Sequence, residues 1–228
     1  MRAIIFDMDD TLYPEMSFVK SGFRACADFL ASRYEMDPDM IVGRLLDILK
    51  KNGRGHVFDT LLMQHGLYSD DMVSLLVYIY RSHRPVVRPY DETPIVLEKL
   101  KSMGLLLGLV TDGMASVQRG KVAALGIARF FDAIVYTDEI GKDFCKPSNV
   151  PFIIALEFLG VDAPAAVYVG DNVHKDFLAP NAIGMMTVQV KRDLDTPDVP
   201  DTAEEAGWAR FVVSDLTGLI GLAQKWTA

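Results

Sequence analysis

From Pro89 onward the chain alternates between short apolar runs and helical patterns, and no other feature limits its possible folds as much. Helical spacing over 93–103 precedes an apolar run at 105–110. The same grammar repeats as helix 116–125, run 133–136, helix 151–159, run 165–169, helix 175–183 and run 186–190, closing with run 211–213 and a helix ending at Trp226. Strands that alternate with helices are joined by crossovers, so the sheet is expected to be parallel and covered on both faces. The run Ala3-Ile4-Ile5-Phe6 near the amino terminus reads as a further strand of that sheet. The predicted class is α/β, with a Rossmann-like parallel-sheet core.

Residues 14–88 follow a different rule. Val19, Phe23, Cys26, Phe29 and Leu30 recur at helical intervals over 17–34, and Ile41, Leu45, Ile48 and Leu49 do so after the capping pair Asp37-Pro38. Asn52-Gly53-Arg54-Gly55 interrupts the pattern, a short helix is expected over 57–64, and Ser69-Asp70-Asp71 caps another that runs to about residue 83. The expected organisation is a core formed by 1–13 and 89–228, interrupted by an all-helical insertion at 14–88. Residues 191–210, rich in Asp, Pro and Glu, read as a surface loop.

Composition narrows the partners. With 31 acidic and 23 basic residues among 228, the net charge of −8 works against a nucleic-acid polymer or an anionic membrane surface, and favours a small substrate. The two cysteines, Cys26 and Cys145, are far apart and suit a reducing compartment. No apolar run reaches the roughly 20 residues of a membrane helix, and Arg2 followed by a strand-like run containing Asp7 does not read as a secretion signal. The expected location is cytoplasmic. Oligomeric state is not encoded legibly.

Polar residues at the carboxyl ends of the strands mark the expected ligand crevice. Asp7-Met8-Asp9-Asp10-Thr11 follows the first run, Thr111-Asp112-Gly113 follows the second, and Gly170-Asp171-Asn172 follows Val167-Tyr168-Val169, with Asp176 a turn later and Lys146-Pro147 between. Side chains two apart in extended chain share a side, so Asp7 and Asp9 are expected to share a site. Carboxylates so crowded need a proton or a cation. Carboxylates, a hydroxyl and a lysine on one sheet edge are what phosphoryl transfer requires.

In these residues the chain resembles the haloacid dehalogenase (HAD) superfamily, whose four motifs match Asp7 to Thr11, Thr111, Lys146 and Gly170 to Asp176 in order. The helical insertion resembles the family's C1 type of cap. Gly53-Arg54-Gly55 with Phe58-Asp59, and Tyr136-Thr137-Asp138-Glu139, look most like nucleotidase-like members. The resemblance implies that Asp7 attacks phosphorus and forms an aspartyl phosphate, while Asp9 serves as acid and then base. It implies that Thr111 binds a phosphate oxygen, with capping of the next helix as its other reading, and that Lys146 offsets charge. Mg²⁺ is implied as cofactor, with Asp7, Asp171 and the Asp9 carbonyl as ligands and Asp176 either reaching the metal or orienting Lys146. Asp112 is placed with Thr111 on the substrate side without a defined role. Arg54 is the favoured cap residue for a second acidic group on the substrate, against a solvated loop arginine.

The expected activity is therefore a Mg²⁺-dependent phosphomonoester hydrolase acting on a small phosphorylated metabolite, a nucleotide or sugar phosphate. A phosphomutase shares all four motifs and is the nearest alternative. A non-catalytic binding protein is the more distant one, because no chemically needed group is missing. Dehalogenation is disfavoured by the acid at Asp9, and phosphonate cleavage by the polar settings of Lys20, Lys50 and Lys51.

Overall fold

The computed structural model describes residues 1–192 and 207–227. Six strands form one parallel sheet in the order β3-β2-β1-β4-β5-β6, where β1 is Ala3–Phe6, β2 Leu106–Thr111, β3 Ala133–Tyr136, β4 Ala166–Gly170, β5 Met186–Val190 and β6 Phe211–Val213. The chain builds outward from β1 to β3, then returns to the other side of β1 to lay down β4. That reversal opens a crevice beyond the carboxyl ends of β1 and β4. Phe6 pairs with Leu109 on one flank and Val169 on the other, so residues after Phe6 and after Val169 emerge side by side.

Every residue of β1 is buried, as is all of β4, which explains why these strands read as unbroken apolar runs rather than alternating ones. Helix α8 (Val150–Leu159) covers one face through Phe152, Ala155, Leu156 and Leu159, and the Phe152 ring stands edge-on to Tyr168 with centroids 4.8 Å apart. Helices α5 (Glu92–Ser102), α6 (Ala115–Leu125), α9 (Leu178–Ala182) and α10 (Gly218–Thr227) complete the α/β unit. The sequence pattern suggested helix over 175–183, but α9 is shorter. Residues 172–176 instead close a turn in which the Asp176 N–H donates to the Asn172 carbonyl. A four-residue helix α7 (Thr137–Ile140) follows β3 directly and has no periodic signal of its own. Residues 193–206 of the expected surface loop lie outside the described residues. No helix among the described residues is long and apolar enough to cross a membrane.

The chain divides into two compact units, Met1–Pro14 with Arg88–Ala228, and Glu15–Val87. The second unit is built from α1 (Glu15–Tyr34), α2 (Pro38–Asn52), α3 (Val57–Gln64) and α4 (Asp70–Ser82). Asp37 caps α2 by accepting from the Asp39 N–H at 2.9 Å, with Pro38 in the first turn, and Ser69 caps α4 by accepting from Met72 at 3.1 Å. Their apolar stripes meet around Phe23, Leu30, Leu45, Phe58, Leu61 and Leu76. Cys26 is buried there with its thiol donating to the Leu76 carbonyl, and neither cysteine is in a disulfide.

Tyr80 of α4 stacks into a ring cluster with Phe18, Phe23, Phe58 and His83, and its ring edge lies over Gly22 of α1. A Cβ at Gly22 would stand 2.5 Å from two Tyr80 ring carbons and 3.2 Å from His83 Cε1, so the ring cluster around Tyr80 would have to shift. Overpacking costs about 1–3 kcal/mol, whereas replacing a helical glycine by alanine returns at most roughly 1 kcal/mol. Gly22→Ala is therefore expected to destabilise the helical unit, seen as a lower midpoint in urea unfolding followed by circular dichroism. An unchanged or higher midpoint would mean that the ring cluster yields.

Candidate active site

Asp7 is the first residue beyond β1, and its N–H continues the ladder by donating to the Val169 carbonyl at 2.8 Å. Asp171 follows β4 directly. Asp176 is brought back by the turn from Asn172, whose N–H donates to Asp176 Oδ2 at 3.0 Å. Each of the three carboxylates presents an oxygen within 4.8 Å of the others. Gly170 permits this approach: a Cβ there would sit 2.5 Å from Asp176 Oδ2.

Lys146 answers the crowding. Its ammonium donates to Asp7 Oδ1 at 2.6 Å, Asp176 Oδ1 at 2.7 Å and the Tyr168 hydroxyl at 3.0 Å, with its side chain wholly buried. Burial pulls its pKa down, but Asp176 and Asp7 outweigh that and hold it well above the usual lysine value. Lys146 and the nearby Lys175, which also pulls Asp7 and Asp171 down, do not satisfy three acids. Burial, relieved in part by Lys146, leaves Asp7 raised to about 7, and burial reinforced by Asp7 and Asp176 leaves Asp171 raised to about 8. Asp7 Oδ2 is buried with no hydrogen-bond partner among the described residues. An orphaned carboxylate oxygen beside two more carboxylates fits a hard cation with oxygen ligands, such as Mg²⁺.

Asp9 stands outside this group of three. Its Oδ1 accepts from the Lys121 ammonium at 2.7 Å and from the Tyr13 hydroxyl, and its Oδ2 accepts from Gln118 Nε2 at 3.0 Å. Burial pushes Asp9 up, yet Lys121, Tyr13 and Gln118 together hold it below the usual carboxylate value. Thr111 ends β2, and its hydroxyl accepts from Gln118 Nε2 at 2.6 Å, which leaves its own O–H to donate. Thr111 does not cap α6, whose N-cap position is Met114. Asp112 Oδ1 accepts from Thr137 Oγ1 at 2.8 Å and from the Lys146 N–H at 3.2 Å, so it ties α7 and the Lys146 backbone to the end of β2.

Arg54 lies in the helical unit, where its guanidinium forks onto the Glu15 carboxylate, with Nη1 donating to Oε1 at 2.9 Å and Nη2 to Oε2. It also lines a cavity of about 240 Å³ with Val19, Phe23, Leu49, Tyr80 and Arg81. The acidic partner is a feature that its setting between Gly53 and Gly55 did not announce.

Gln118, Lys121, Tyr13 and Tyr168 were not legible as site residues, though two left a trace. Gln118, Lys121, Val122 and Leu125 form the buried face of α6 at positions i, i+3, i+4 and i+7, so two polar side chains occupy an otherwise apolar stripe. Buried polar residues at such positions require buried partners. Tyr168 reads as an ordinary core aromatic because only its hydroxyl reaches the site.

Residues 4–190 match the family model described as haloacid dehalogenase-like hydrolase. Glyceraldehyde 3-phosphate phosphatase of Methanopyrus kandleri is 35% identical over 215 residues, covering 88% of this chain and 91% of the relative. Phosphoglycolate phosphatase of Neisseria meningitidis is 30% identical over 197 residues, covering 83% and 80%. Among solved structures, a HAD phosphatase from Thermococcus onnurineus superimposes with a TM-score of 0.63 at 24% identity, over 97% of each chain. The chain belongs to the haloacid dehalogenase-like hydrolases. It is one of their phosphatases.

The raised carboxyls make stability depend on pH in a definite direction. Asp7 and Asp171 bind protons more tightly folded than unfolded, from an ordinary value of 3.8, so folding is favoured below that value and loses this contribution as pH rises through about 7 and about 8. The metal-free protein is thus expected to lose thermal stability between pH 5 and about 8, a loss reduced in Asp171→Asn. Scanning calorimetry in a chelator-treated buffer reads this directly. A melting temperature rising over that interval in wild type contradicts the assignment.

Proposed function

We propose that the phosphatase uses Asp7 as nucleophile, with Mg²⁺ bound by Asp7, Asp171, Asp176 and the Asp9 main-chain carbonyl, on a short-chain phosphomonoester. The observation that carries this reading is the Asp7 carboxylate itself. One of its oxygens is fixed by Lys146 while the other is buried and unpartnered, and two carboxylates that follow the neighbouring strand β4, Asp171 and Asp176, flank it. A purely structural aspartate at the end of a strand would have both oxygens satisfied. Bound there, the cation supplies positive charge against the phosphate oxygens and lets the neighbouring carboxylates stay ionised.

In this reading an Asp7 oxygen bonds to phosphorus as the ester P–O bond breaks, and the leaving alkoxide takes a proton from Asp9. Water then attacks the aspartyl phosphate and gives its proton to Asp9, which releases it to solvent, so inorganic phosphate leaves with Asp7 and Asp9 both restored and the protons balance. Lys121 and Tyr13 keep Asp9 ionised in the free protein. The first proton therefore enters with the substrate, since a phosphomonoester loses its second proton near pH 6. Thr111 donates its O–H to a phosphate oxygen, and the Lys146 ammonium opposes charge that builds on phosphate and Asp7.

Substrate class follows from the relatives rather than from the site. Those described above act on glyceraldehyde 3-phosphate and on phosphoglycolate, both small alkyl phosphates. We place this chain's substrate in that class, which narrows the nucleotide-or-sugar choice toward a two- or three-carbon phosphate. Reading of the substrate's remaining acid or carbonyl by Arg54 would require it to leave Glu15.

A panel of phosphorylated metabolites with Mg²⁺ is expected to show fastest phosphate release from two- and three-carbon phosphates. Chelation should abolish release, and Asp7→Asn should lower it by on the order of 10³-fold or more. Comparable release by Asp7→Asn would remove the nucleophile from this assignment. Preference for nucleotides would overturn the substrate class alone.

A further inference from the structure

We propose that Gln118 and Lys121 are positioning residues for proton transfer to the leaving group, a role that rests on the reading of Asp9 as acid and base. Tyr13, Gln118 and Lys121 reach Asp9 from two elements and occupy both of its oxygens: Lys121 and Tyr13 on Oδ1, Gln118 on Oδ2. Holding both oxygens fixes the plane of the carboxylate as well as its location. This matters at a site where three other carboxylates gather, because a free fourth carboxylate would be drawn to any cation bound there. The donors on α6 keep the Asp9 side chain available to the substrate.

Charge balance alone does not explain the arrangement. The Lys121 ammonium at 2.7 Å would suffice to neutralise Asp9. Gln118 adds a second function, since the two hydrogens of its amide serve two reacting groups, one to Asp9 Oδ2 at 3.0 Å and one to Thr111 Oγ1 at 2.6 Å. The side chain thereby sets the spacing between the proton donor and the hydroxyl that binds phosphate. It also uses a Thr111 lone pair, which turns the threonine O–H outward as a donor. Gln118 and Lys121 are 2% and 4% exposed on a helix face that otherwise packs apolar side chains. A helix needed only to cover the sheet would carry apolar residues at both positions.

The test exploits leaving-group chemistry. 4-Nitrophenolate departs without a proton, whereas the alkoxide from the fastest alkyl phosphate of the metabolite panel requires one. Single-turnover release from the alkyl ester and the pre-steady-state burst of 4-nitrophenolate are measured for wild type, Asp9→Asn, Gln118→Ala, Lys121→Met, Lys121→Arg and the double variant Asp9→Asn with Lys121→Met. Asp9→Asn is expected to slow the alkyl ester by about 10²-fold and Lys121→Met by about tenfold, each slowing the aryl burst far less, and Gln118→Ala, which also frees Thr111, to slow the alkyl ester by about tenfold and the aryl burst by about threefold. Lys121→Arg should recover most of the alkyl rate. In the double variant, which removes both charges of the buried pair and so guards against misfolding, Lys121→Met should add no further loss. Equal slowing of both esters in Gln118→Ala and Lys121→Met, wild-type alkyl rates in both, or a full additional loss in the double variant would overturn the positioning role while leaving Asp9 intact. Failure of Asp9→Asn itself to discriminate between the esters would overturn the reading of Asp9, and the positioning role with it.

Discussion

The Lys146 ammonium, clamped between Asp7 and Asp176 with Tyr168 beneath, is the interaction on which the rest of the site depends. Parallel strands β1 and β4 end side by side, so whatever follows them is forced into proximity at the one place where the sheet order reverses. A fold that places acids at both ends must supply a cation or keep protons there. Lys146 and Lys175 supply part of that charge, and burial still holds Asp7 and Asp171 above the usual carboxylate value. Removing one partner from such a buried group costs far more than the group contributes to stability, since the others are left uncompensated. The site is therefore a stability liability that only its chemistry explains.

The same logic separates the two groups of acids. Asp7, Asp171 and Asp176 sit close together with Lys146 clamped between two of them, Lys175 nearby and one orphaned oxygen, an arrangement in which the acids outnumber the cations. Asp9 has the opposite surroundings, with a lysine, a tyrosine hydroxyl and a glutamine amide saturating both oxygens. Neighbouring carboxylates whose environments push their pKa values apart are the usual means of assigning different tasks to chemically identical groups. Asp7 is raised and Asp9 is lowered although only Met8 separates them.

Much of the fold was legible because it rests on local and strongly periodic signals. β1 and β4 are buried along their whole length and so read as unbroken apolar runs, and Asp37, Pro38 and Ser69 punctuate α2 and α4 where capping chemistry requires. The start of the 175–183 region differs because a side-chain and main-chain turn anchored on Asn172 replaces helix there. Nothing in the spacing of apolar residues carries that information. The short helix α7 was missed for a related reason: four residues are too few to show a period.

The site was legible in its strand-end residues and opaque in its supports. Strand ends are addressed by topology, so the residue after an apolar run is placed before any side chain is considered, and Asp7, Thr111 and Asp171 follow from that alone. Gln118 and Lys121 are placed by α6, and the partner they share, Asp9, lies more than a hundred positions away along the chain. A pairing of that range leaves only an indirect mark, a polar break in an apolar stripe, which equally suits a solvated helix edge. Burial decides between the two, because a lysine at 4% exposure must have its charge answered, and the group that answers it is the Asp9 carboxylate. Helix α6 thereby also holds the carboxylate proposed for proton transfer, which is how burial and chemistry come to share one element.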